Sequence, residues 1–423
     1  MKKKLSIVLA VVMSVGFASA VSACGKKNKG PKTVTVTTAE EFYGALDKNI
    51  TLAQDIVLHT ADEGFIDGDR ALEGQIIDGN GYTITIKGEE GKVANSTKGL
   101  FKDIQSSTVK NLKIVYDMNV NVSGTGDGYW FGGLAASATG STIENCSVAL
   151  SKHTEVAFWV NQYGYGDNGC GGLLGCADNT TIVNCQTDVN INFTGRFFGG
   201  IVGHLRSGSV AYCKSTVYLS AHNLEQSYIG GLVGAAEKSS QTYACEVAVQ
   251  KMQIVSKPQG WRYKTAFIGM FVGSIDGSLH NCFGYHEDRT EGVVETNFSV
   301  EEKNSGLFIT TIKWGYFTAR TMSNAKLKNL YFKGPRSWRS NDGETVLVDS
   351  FVQDRSGLLE NLYLVGLGDQ NYPVVDGSGN EVSGFYFVYA VNAVEFPVTE
   401  IGEVDYWERK EDGDLVLKPY VAE

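Results

Sequence analysis

The sequence lacks the short motifs that mark common enzyme active sites. It contains no Gly-x-Ser-x-Gly, no His-Glu-x-x-His and no phosphate-binding loop. Each of these motifs fixes a nucleophile, a metal-bound water or a phosphate on the backbone, so their absence argues against serine hydrolases, zinc peptidases and P-loop enzymes. The sequence therefore predicts that the chain is not an enzyme.

Positive charge is also scarce. The 423 residues contain 37 Lys and Arg against 47 Asp and Glu, which gives a net charge of -10. Residues 1–23 contain three lysines and no acidic residue, so the chain without them has a net charge of -13. Because nucleic-acid binding depends on Lys and Arg that neutralise phosphates, this balance predicts no nucleic-acid partner.

The apolar run at the start of the chain falls short of a membrane span. It extends from Leu5 to Val21, is broken by Ser14 and Gly16, and is marginal against the roughly 20 residues that a spanning helix needs. Three lysines precede it and small residues end it, which is typical of an export signal with a cleavage site. Residues 1–23 are therefore predicted to be a signal peptide.

The end of this signal, Val21-Ser22-Ala23-Cys24, resembles the lipobox of bacterial lipoproteins. The resemblance implies a diacylglycerol on the Cys24 thiol, cleavage before Cys24, and acylation of its new amino group by a chain such as palmitate. The predicted partner is then the lipid bilayer. The predicted location is the bacterial cell envelope, on the outside of the cytoplasmic membrane or on the outer membrane. Residues 24–36 are predicted to be the lipidated cysteine and a short basic tether.

A repeat of two small residues and an aliphatic residue organises the rest of the chain. Copies separated by roughly 20 to 50 residues mark a solenoid, in which equivalent residues stack about 4.8 Å apart in columns. Three inward columns are predicted: Phe131, Cys170, Phe198, Ile229 and Ile268; Leu134, Leu173, Ile201, Leu232 and Phe271; and Cys146, Cys185, Cys213, Cys245 and Cys282. An asparagine column just before the cysteines, with amides that can hydrogen-bond at a corner, contains Asn111, Asn145, Asn184, Asn281, Asn329 and Asn361.

Near-copies of Gly-Gly-Leu-x-Gly that begin at positions 132, 171, 199 and 230 resemble the GLUG repeat of bacterial surface proteins. The predicted helix at residues 38–48, the strand that follows it from Ile50 and the segment Gln75–Ile86 look like the first coils of a pectate-lyase-like β-helix. The resemblance implies an all-β fold, a right-handed parallel β-helix of about ten coils over residues 37–395. A short capping helix is predicted at residues 38–48, and a strand and hairpin cap at residues 396–423.

Seven cysteines besides Cys24 leave three interpretations open: core packing, a disulfide, or a metal site. Core packing is favoured, because the Cβ vectors of stacked residues run parallel rather than toward each other. A zinc site needs further Cys or His ligands, and only Cys170 and Cys176 are close in sequence. The sequence therefore predicts no metal and no cofactor.

The fold resemblance keeps a polysaccharide lyase or glycoside hydrolase open as an alternative. Such enzymes need clustered carboxylates, or a basic residue beside calcium-binding Asp, on successive coils. Asp67-Gly68-Asp69-Arg70 is such a fragment, but it stands alone. Gly203-His204-Leu205 is similar to part of a galacturonase motif and lacks its second glycine, so His204 is predicted to be a surface residue at a corner.

The segments between the repeat copies differ in length. From each residue of the Cys146 column to the next residue of the Phe131 column the spacing is 24, 13, 16 and 23 residues. The two long segments are predicted to project as walls beside a low floor, and to carry aromatic rings that stack on sugars. The alternative is that these rings pack down onto the coils. The candidate ligand-binding residues are Phe158, Trp159, Tyr163 and Tyr165 in the first wall, Arg196 on the floor, and Trp261 and Tyr263 in the second wall.

These features together predict a cell-envelope lipoprotein that acts as a binding or adhesion module, as a monomer, for carbohydrate or a cell-surface glycan. A protein-binding adhesin is the alternative for a surface protein of this fold. The polysaccharide-degrading enzyme is the third hypothesis.

Overall fold

The computed structural model describes residues 31–62, 65, 70–88, 94–95, 98–125, 128–152, 157–163, 166–222, 226–256, 264–286, 298–300, 310–315, 317–333, 337–339, 345–347, 352–354, 356–366, 385–389, 407–409 and 415–421. These residues include a short helix, α1 (Ala39–Tyr43), and forty β-strands. The composition agrees with this result, since the chain is rich in the glycines and aromatic residues that favour strands and tight corners.

The first half of the chain forms short strands. They are β1 (Thr33–Val36), β2 (Asn49–Leu52), β3 (Ile56–His59), β4 (Leu72–Glu73), β5 (Ile76–Asp78), β6 (Thr83–Lys87), β7 (Ala94–Asn95), β8 (Phe101–Gln105), β9 (Thr108–Lys110), β10 (Lys113–Asp117), β11 (Val120–Thr125), β12 (Tyr129–Gly132), β13 (Ala135–Thr139), β14 (Thr142–Glu144), β15 (Ser147–Leu150), β16 (Phe158–Tyr163), β17 (Asn168–Gly171), β18 (Leu174–Asp178) and β19 (Thr180–Val183).

Several strands in the second half are longer, because they continue around a corner of the coil. They are β20 (Gln186–Thr194), β21 (Phe197–Gly199), β22 (Val202–Ala211), β23 (Lys214–His222), β24 (Tyr228–Gly230), β25 (Val233–Tyr243), β26 (Glu246–Ser256), β27 (Lys264–Gly269), β28 (Val272–Ile275), β29 (Ser278–His286), β30 (Phe298–Val300), β31 (Thr310–Gly315), β32 (Thr318–Thr321), β33 (Lys326–Lys333), β34 (Ser337–Arg339), β35 (Thr345–Leu347), β36 (Val352–Asp354), β37 (Leu358–Gly366), β38 (Phe385–Tyr389), β39 (Trp407–Arg409) and β40 (Leu415–Leu417).

A coil of the solenoid has five strand positions, which we call the first to fifth faces. In one coil these are β13, β14, β15, β16 and β17, in that order, before β18 begins the next coil. Strands of the same face pair in parallel between neighbouring coils, as β13 does with β18 and β12 with β17. The chain is thus a right-handed parallel β-helix, as predicted. The third face stacks eleven strands in the described part, from β3 to β38, which is close to the ten coils expected.

The predicted columns are present and form the core. Phe131 pairs with Cys170, Cys170 with Phe198, and the register continues to Ile268 through Ile229. The Leu134 column and the Cys146 column are buried along their whole length. The seven cysteines carry free thiols. In the Cys146 column the thiols hydrogen-bond to carbonyls two residues back, as Cys213 Sγ does to Ala211 O at 3.2 Å.

The asparagine column forms the corner between the second and third faces. Its backbone is left-handed, with φ of 53° at Asn111, 51° at Asn145 and 53° at Asn184. Asn tolerates this region better than other residues with a side chain, which explains its recurrence there. Tyr212 and Ala244 occupy the same corner with the same backbone conformation.

The last glycine of the repeat produces a concave bend between the fifth and first faces. A Cβ on Gly203 would lie 2.7 Å from the carbonyl oxygen of Cys170, and one on Gly234 would lie 2.7 Å from that of Phe198. Only a residue without a side chain lets the two backbones approach this closely. The outer surfaces of the fifth and first faces therefore form the two sides of a concave corner.

The N-terminal helix covers the end of the core, as predicted, but it ends at Tyr43. Thr38 caps it by accepting a hydrogen bond from the Glu41 N–H at 3.2 Å, and Phe42 is buried against Phe101. No helix in the described ranges is long and apolar enough to cross a membrane.

Near the C-terminus, β39 and β40 pair antiparallel, which confirms a hairpin within the cap predicted at residues 396–423. The ring of Tyr420 then contacts that of Tyr212, a residue in the middle of the solenoid, with 5.2 Å between centroids. The domain boundaries at residues 36 and 395 stay predictions.

Candidate functional site

The segment predicted to form the first wall is part of the β-helix. β16 pairs with β11 on one side and β20 on the other, as the fourth face of its coil. Its extra residues lie on both sides of this strand. Before the strand, eight residues separate Ala149 from Phe158, whereas two separate the equivalent residues of the next coil, Asp188 and Ile191. After Asn161, seven residues lead to Gly169, whereas two separate the equivalent residues Thr194 and Phe197. The prediction of one continuous wall is wrong here, because the insertion is split.

Phe158 is a core residue, which corrects its prediction as a ligand-binding aromatic. It is 0 % exposed, and its ring contacts Tyr116 and Phe131 edge-on with centroids 4.9 Å away in each case. The packing alternative is correct for this ring. Side chains alternate along a strand, so the next residue, Trp159, points outward.

Trp159 is 46 % exposed on a strand that is held from both sides. In register with it on the neighbouring coils are Asn121 and Asn192, and Ser220 follows Asn192 one coil further on. Two positions further along β11 and β16, the outward residues Ser123 and Asn161 are also polar and uncharged. We call this area the fourth-face surface; it comprises Asn121, Ser123, Trp159, Asn161, Asn192 and Ser220.

The remaining predicted aromatics are not placed by the structure. Tyr163 is the last residue of β16, and its side chain is outside the described part. Tyr165, Trp261 and Tyr263 lie outside the described residues, as does Cys24. The second wall therefore stays a prediction.

Arg196 lies at the corner between the fourth and fifth faces, and its charge is already paired. Its guanidinium binds Asp167 at 2.9 Å and lies 4.9 Å from the centre of the Phe197 ring. Arg206 binds the other oxygen of Asp167 at 3.3 Å. An anionic ligand would have to compete with this carboxylate, so Arg196 is not the open cation that was predicted.

An aromatic column that the sequence analysis missed covers the outside of the fifth face. It contains Trp130, Phe197, Tyr228 and Phe267, all buried, with Gly169 between the first two. Because Gly169 has no side chain, the rings of Trp130 and Phe197 stack across two coils with centroids 5.8 Å apart. Each of these residues directly precedes a residue of the Phe131 column, so the alternation of strand side chains was the signal that could have found it.

His204 packs against this column from the first face, which corrects its prediction as a surface residue. It is 6 % exposed, and its ring stacks on Phe197 with centroids 4.3 Å apart. Its Nε2 lies 2.9 Å from Glu237 Oε1. Burial, with a smaller contribution from nearby Arg206, lowers the pKa of His204 to about 4, so the imidazole is neutral at pH 7. We therefore assign the proton to Nε2, which donates to the carboxylate.

The outer corner formed by this column and His204 is a packed structure rather than a reactive site. Cys176, in register with His204, is the cysteine that faces this corner instead of the core. Burial raises the pKa of its thiol to about 11, so the nucleophilic thiolate is scarce at neutral pH. Among the described residues no group of His, Cys, Asp and Glu is arranged to hold a metal ion.

Comparisons with known proteins identify a similar solved structure but no sequence family. No family profile matches the chain, and no curated protein is significantly similar to it in sequence. A solved structure titled "IgA1 Protease" is similar, with a TM-score of 0.45 and 19 % sequence identity. The match covers 77 % of this chain and 23 % of that chain, so this chain spans about a quarter of the length of the protein it resembles.

Proposed function

We propose that the chain is a non-enzymatic glycan-binding module, and that the fourth-face surface binds a neutral saccharide. The observation that carries this proposal is the exposed indole of Trp159 between the carboxamides of Asn121 and Asn192 on adjacent coils. A flat aromatic face stacks on the apolar face of a sugar ring, and the half-buried carboxamide of Asn192 can donate to and accept from sugar hydroxyls, whereas the Oδ1 of Asn121 is buried.

The arrangement favours a neutral sugar over an acidic one. The fourth-face surface contains no charged residue, and the chain as a whole is acidic, with a net charge of -10. A negatively charged protein opposes the approach of an anionic ligand unless a local cation offsets the repulsion. Arg196, the cation predicted for this site, is ion-paired with Asp167 and so is not free to offset the repulsion.

The site also needs little ordering on binding. β16 pairs with β11 along its length and with β20 from Phe158 to Asn161, so the backbone at Trp159 is fixed before any ligand arrives. Such pre-organisation lowers the entropy cost of binding.

The test compares Trp159→Ala with Tyr129→Ala, an exposed aromatic of the fifth face outside the fourth-face surface. A glycan array of the wild-type domain first supplies neutral ligands, and calorimetry then measures their affinity. We expect Trp159→Ala to weaken binding at least tenfold, which is about 1.4 kcal/mol, with an unchanged Tm. Tyr129→Ala should bind normally. An array with no neutral glycan above background, or equal affinity of Trp159→Ala, would refute the proposal.

We further propose that the module is a GLUG-repeat lipoprotein held at the outer side of a bacterial membrane through Cys24. The lipobox-like residues 21–24 support this, and the tether to Lys32 reaches at most about 30 Å, so the β-helix would lie close to the bilayer. Wild-type protein should partition into detergent, and Cys24→Ala should stay in the aqueous phase. Wild-type protein found in the aqueous phase with an N-terminus other than Cys24 would contradict this attachment.

A further inference from the structure

A cavity of about 620 Å³ opens at the junction of the first and second faces, on coils near the C-terminal side of the solenoid. It results from one short turn. Two residues, Asp276 and Gly277, connect Ile275 to Ser278, whereas four residues make the equivalent connection on the coils before and after. The short turn is the floor, and the longer turns on both sides are the rims. We call this cavity the notch.

Gly277 is what lets the turn be short. A Cβ at this position would contact both the carbonyl and the hydroxyl of Ser240 on the previous coil, and would lie 2.7 Å from the carbonyl oxygen of Glu237. The notch is therefore part of the backbone path and does not depend on a side-chain rotamer.

Two lysines on different coils line the notch. Lys238 belongs to one rim, and Lys326 lies beyond the other, next to Ser278 in register. Both are exposed, and in the described part of the chain neither makes an ion pair. The carboxylate of Asp276, in the floor turn, accepts hydrogen bonds from Asn324 N at 3.0 Å and Asn324 Nδ2 at 3.1 Å. The carboxylate of Glu237, next to Lys238 on the rim, lies 2.9 Å from His204 Nε2.

Hydroxyl groups complete the polar lining. Ser239, Ser278 and Ser323 come from three successive coils and surround the same space as the lysines. Hydroxyls and ammonium groups donate hydrogen bonds from different directions, which suits the four oxygens of a tetrahedral anion. A planar carboxylate is better matched by the fork of an arginine, and the notch is lined by no arginine among the described residues.

Two exposed apolar side chains adjoin the polar lining. Leu358 lines the notch and is 50 % exposed, and Met322, directly before Ser323, is 39 % exposed. Large exposed apolar residues next to convergent polar groups are typical of a ligand site. They indicate that the anion is attached to an organic group rather than free in solution.

We propose that the notch binds a sulfate or phosphate ester of a small organic molecule, with the tetrahedral group between Lys238 and Lys326 and the organic part against Leu358. The fourth-face surface is on another side of the coil, so this site is additional to the proposed glycan site and its test is independent of Trp159. In a chain of net charge -10, the two lysines supply the ammonium groups that an anionic ligand needs, while the carboxylates of Asp276 and Glu237 are held by Asn324 and His204.

The experiment measures binding to the full-length wild-type protein in low salt by isothermal titration calorimetry. The probes are glucose 6-phosphate, glucose 6-sulfate, inorganic phosphate, inorganic sulfate, glucuronate and glucose. The variants are Lys238→Ala, Lys326→Ala and Leu358→Ser, and the control is Lys113→Ala, an exposed lysine on β10 away from the notch.

We expect both glucose esters to bind, glucuronate to bind at least tenfold more weakly, and glucose not to bind. Each notch lysine variant should weaken ester binding at least tenfold, and Lys113→Ala should change it less than twofold. Leu358→Ser should reduce ester binding toward that of the inorganic ions. Physiological salt should weaken binding, because exposed charges are screened.

Other results would overturn the proposal. They are the absence of ester binding, equal affinity for glucuronate, inorganic anions that bind as well as the esters, or lysine variants that bind like the control. None of these results depends on whether a neutral glycan binds at Trp159.

Discussion

The side-chain amide of Asn145 donates a hydrogen bond to Asn111 Oδ1, one coil away, at 2.8 Å. The chain of amides continues in both directions, since Asn184 donates to Asn145 at 3.3 Å and Asn111 donates to Asp78 at 3.0 Å. Asn329 and Asn281 repeat the same bond at 2.9 Å further along. The column therefore meets two needs of one corner, a left-handed backbone and a hydrogen-bond partner for each amide.

These two needs can be separated by mutation at Asn145. In Asn145→Ala both the amide bonds and the tolerance of a φ of 51° are lost, whereas Asn145→Gly loses only the amide bonds. Since a left-handed residue with a Cβ costs about 1 to 2 kcal/mol, the alanine variant should be less stable than the glycine variant by about 1 kcal/mol. Urea unfolding measures both. An alanine variant as stable as the glycine variant would show that the backbone conformation contributes nothing.

The Cys146 column gives a second prediction. Cys213 is buried, and its Sγ accepts a hydrogen bond from the Cys185 N–H at 3.4 Å. Cys213→Ala removes this sulfur and leaves a small void, so it should lower the free energy of unfolding by about 1 to 2 kcal/mol. Ala211→Ser, at the start of the same corner, keeps every thiol, so it is the control when free thiols are counted by alkylation.

Burial also raises the pKa of the Cys213 thiol far above its usual range. The thiol stays protonated in the folded state, whereas it ionises near pH 8.5 in the unfolded state. Its contribution to the free energy of unfolding is therefore fully present below pH 8.5 and is lost as the pH rises above that value. Alkylation at pH 9 should leave the buried thiols of the folded protein unmodified and label them after unfolding without reductant. Thiols that stay unlabelled after unfolding would reveal a disulfide.

The columns and the asparagine corner were predictable because the repeat is in phase with the coil. Residues such as Cys170, Leu173 and Cys185 recur at equivalent positions of each copy. Residues that align between copies of the repeat are therefore the residues that stack on neighbouring coils. Short-range chemistry agrees with the helix predicted at residues 38–48, since Thr38 accepts a hydrogen bond from the Glu41 N–H at the start of α1.

The candidate site was less predictable, because it depends on the segments between the repeats. Their lengths differ, and length alone does not show whether extra residues form one loop or two. Phe158 was misplaced for this reason, since the insertion ends before it and resumes after β16. The concave bend at Gly203 was equally hidden, because it brings His204 against Phe197 in a contact that neither residue type requires.

The pH dependence of stability should report on His204. Its folded pKa of about 4 lies below its unfolded value near 6.5, so its contribution is complete above pH 6.5 and is lost as pH falls toward 4. Charged groups around the ring are Arg206, Asp167, Arg196, Asp178 and the hydrogen-bonded Glu237. Burial raises the pKa of Glu237, which opposes the effect of His204 in part of the same window.

His204→Phe isolates this contribution, because it keeps the stacking on Phe197 and removes the titrating group. Wild-type protein should lose stability relative to His204→Phe between pH 6.5 and 4, by an amount on the order of 1 to 3 kcal/mol. Parallel stability curves for the two proteins over this range would contradict the buried, neutral imidazole.

The outer aromatic column depends on a missing side chain, and this gives the last prediction. A Cβ on Gly169 would overlap the Phe197 carbonyl and would lie 2.7 Å from Phe197 Cβ and 3.0 Å from the Trp130 ring. Gly169→Ala must therefore push the stacked rings of Trp130 and Phe197 apart, so that they lose their contact and expose apolar surface. We expect a loss of about 2 to 4 kcal/mol, in the range of a disrupted aromatic core.

Gly140→Ala is the matched control for this variant. Gly140 has a left-handed φ of 59° and open space around its Cβ position, with Ser106 Oγ 3.8 Å away, so alanine there should cost only about 1 to 2 kcal/mol of backbone strain. Tryptophan fluorescence should shift to longer wavelength in Gly169→Ala and not in Gly140→Ala, because only the former opens the environment of Trp130. If Gly169→Ala were no less stable than Gly140→Ala and its fluorescence were unchanged, the aromatic column would be a surface coating rather than a second packed layer of the solenoid.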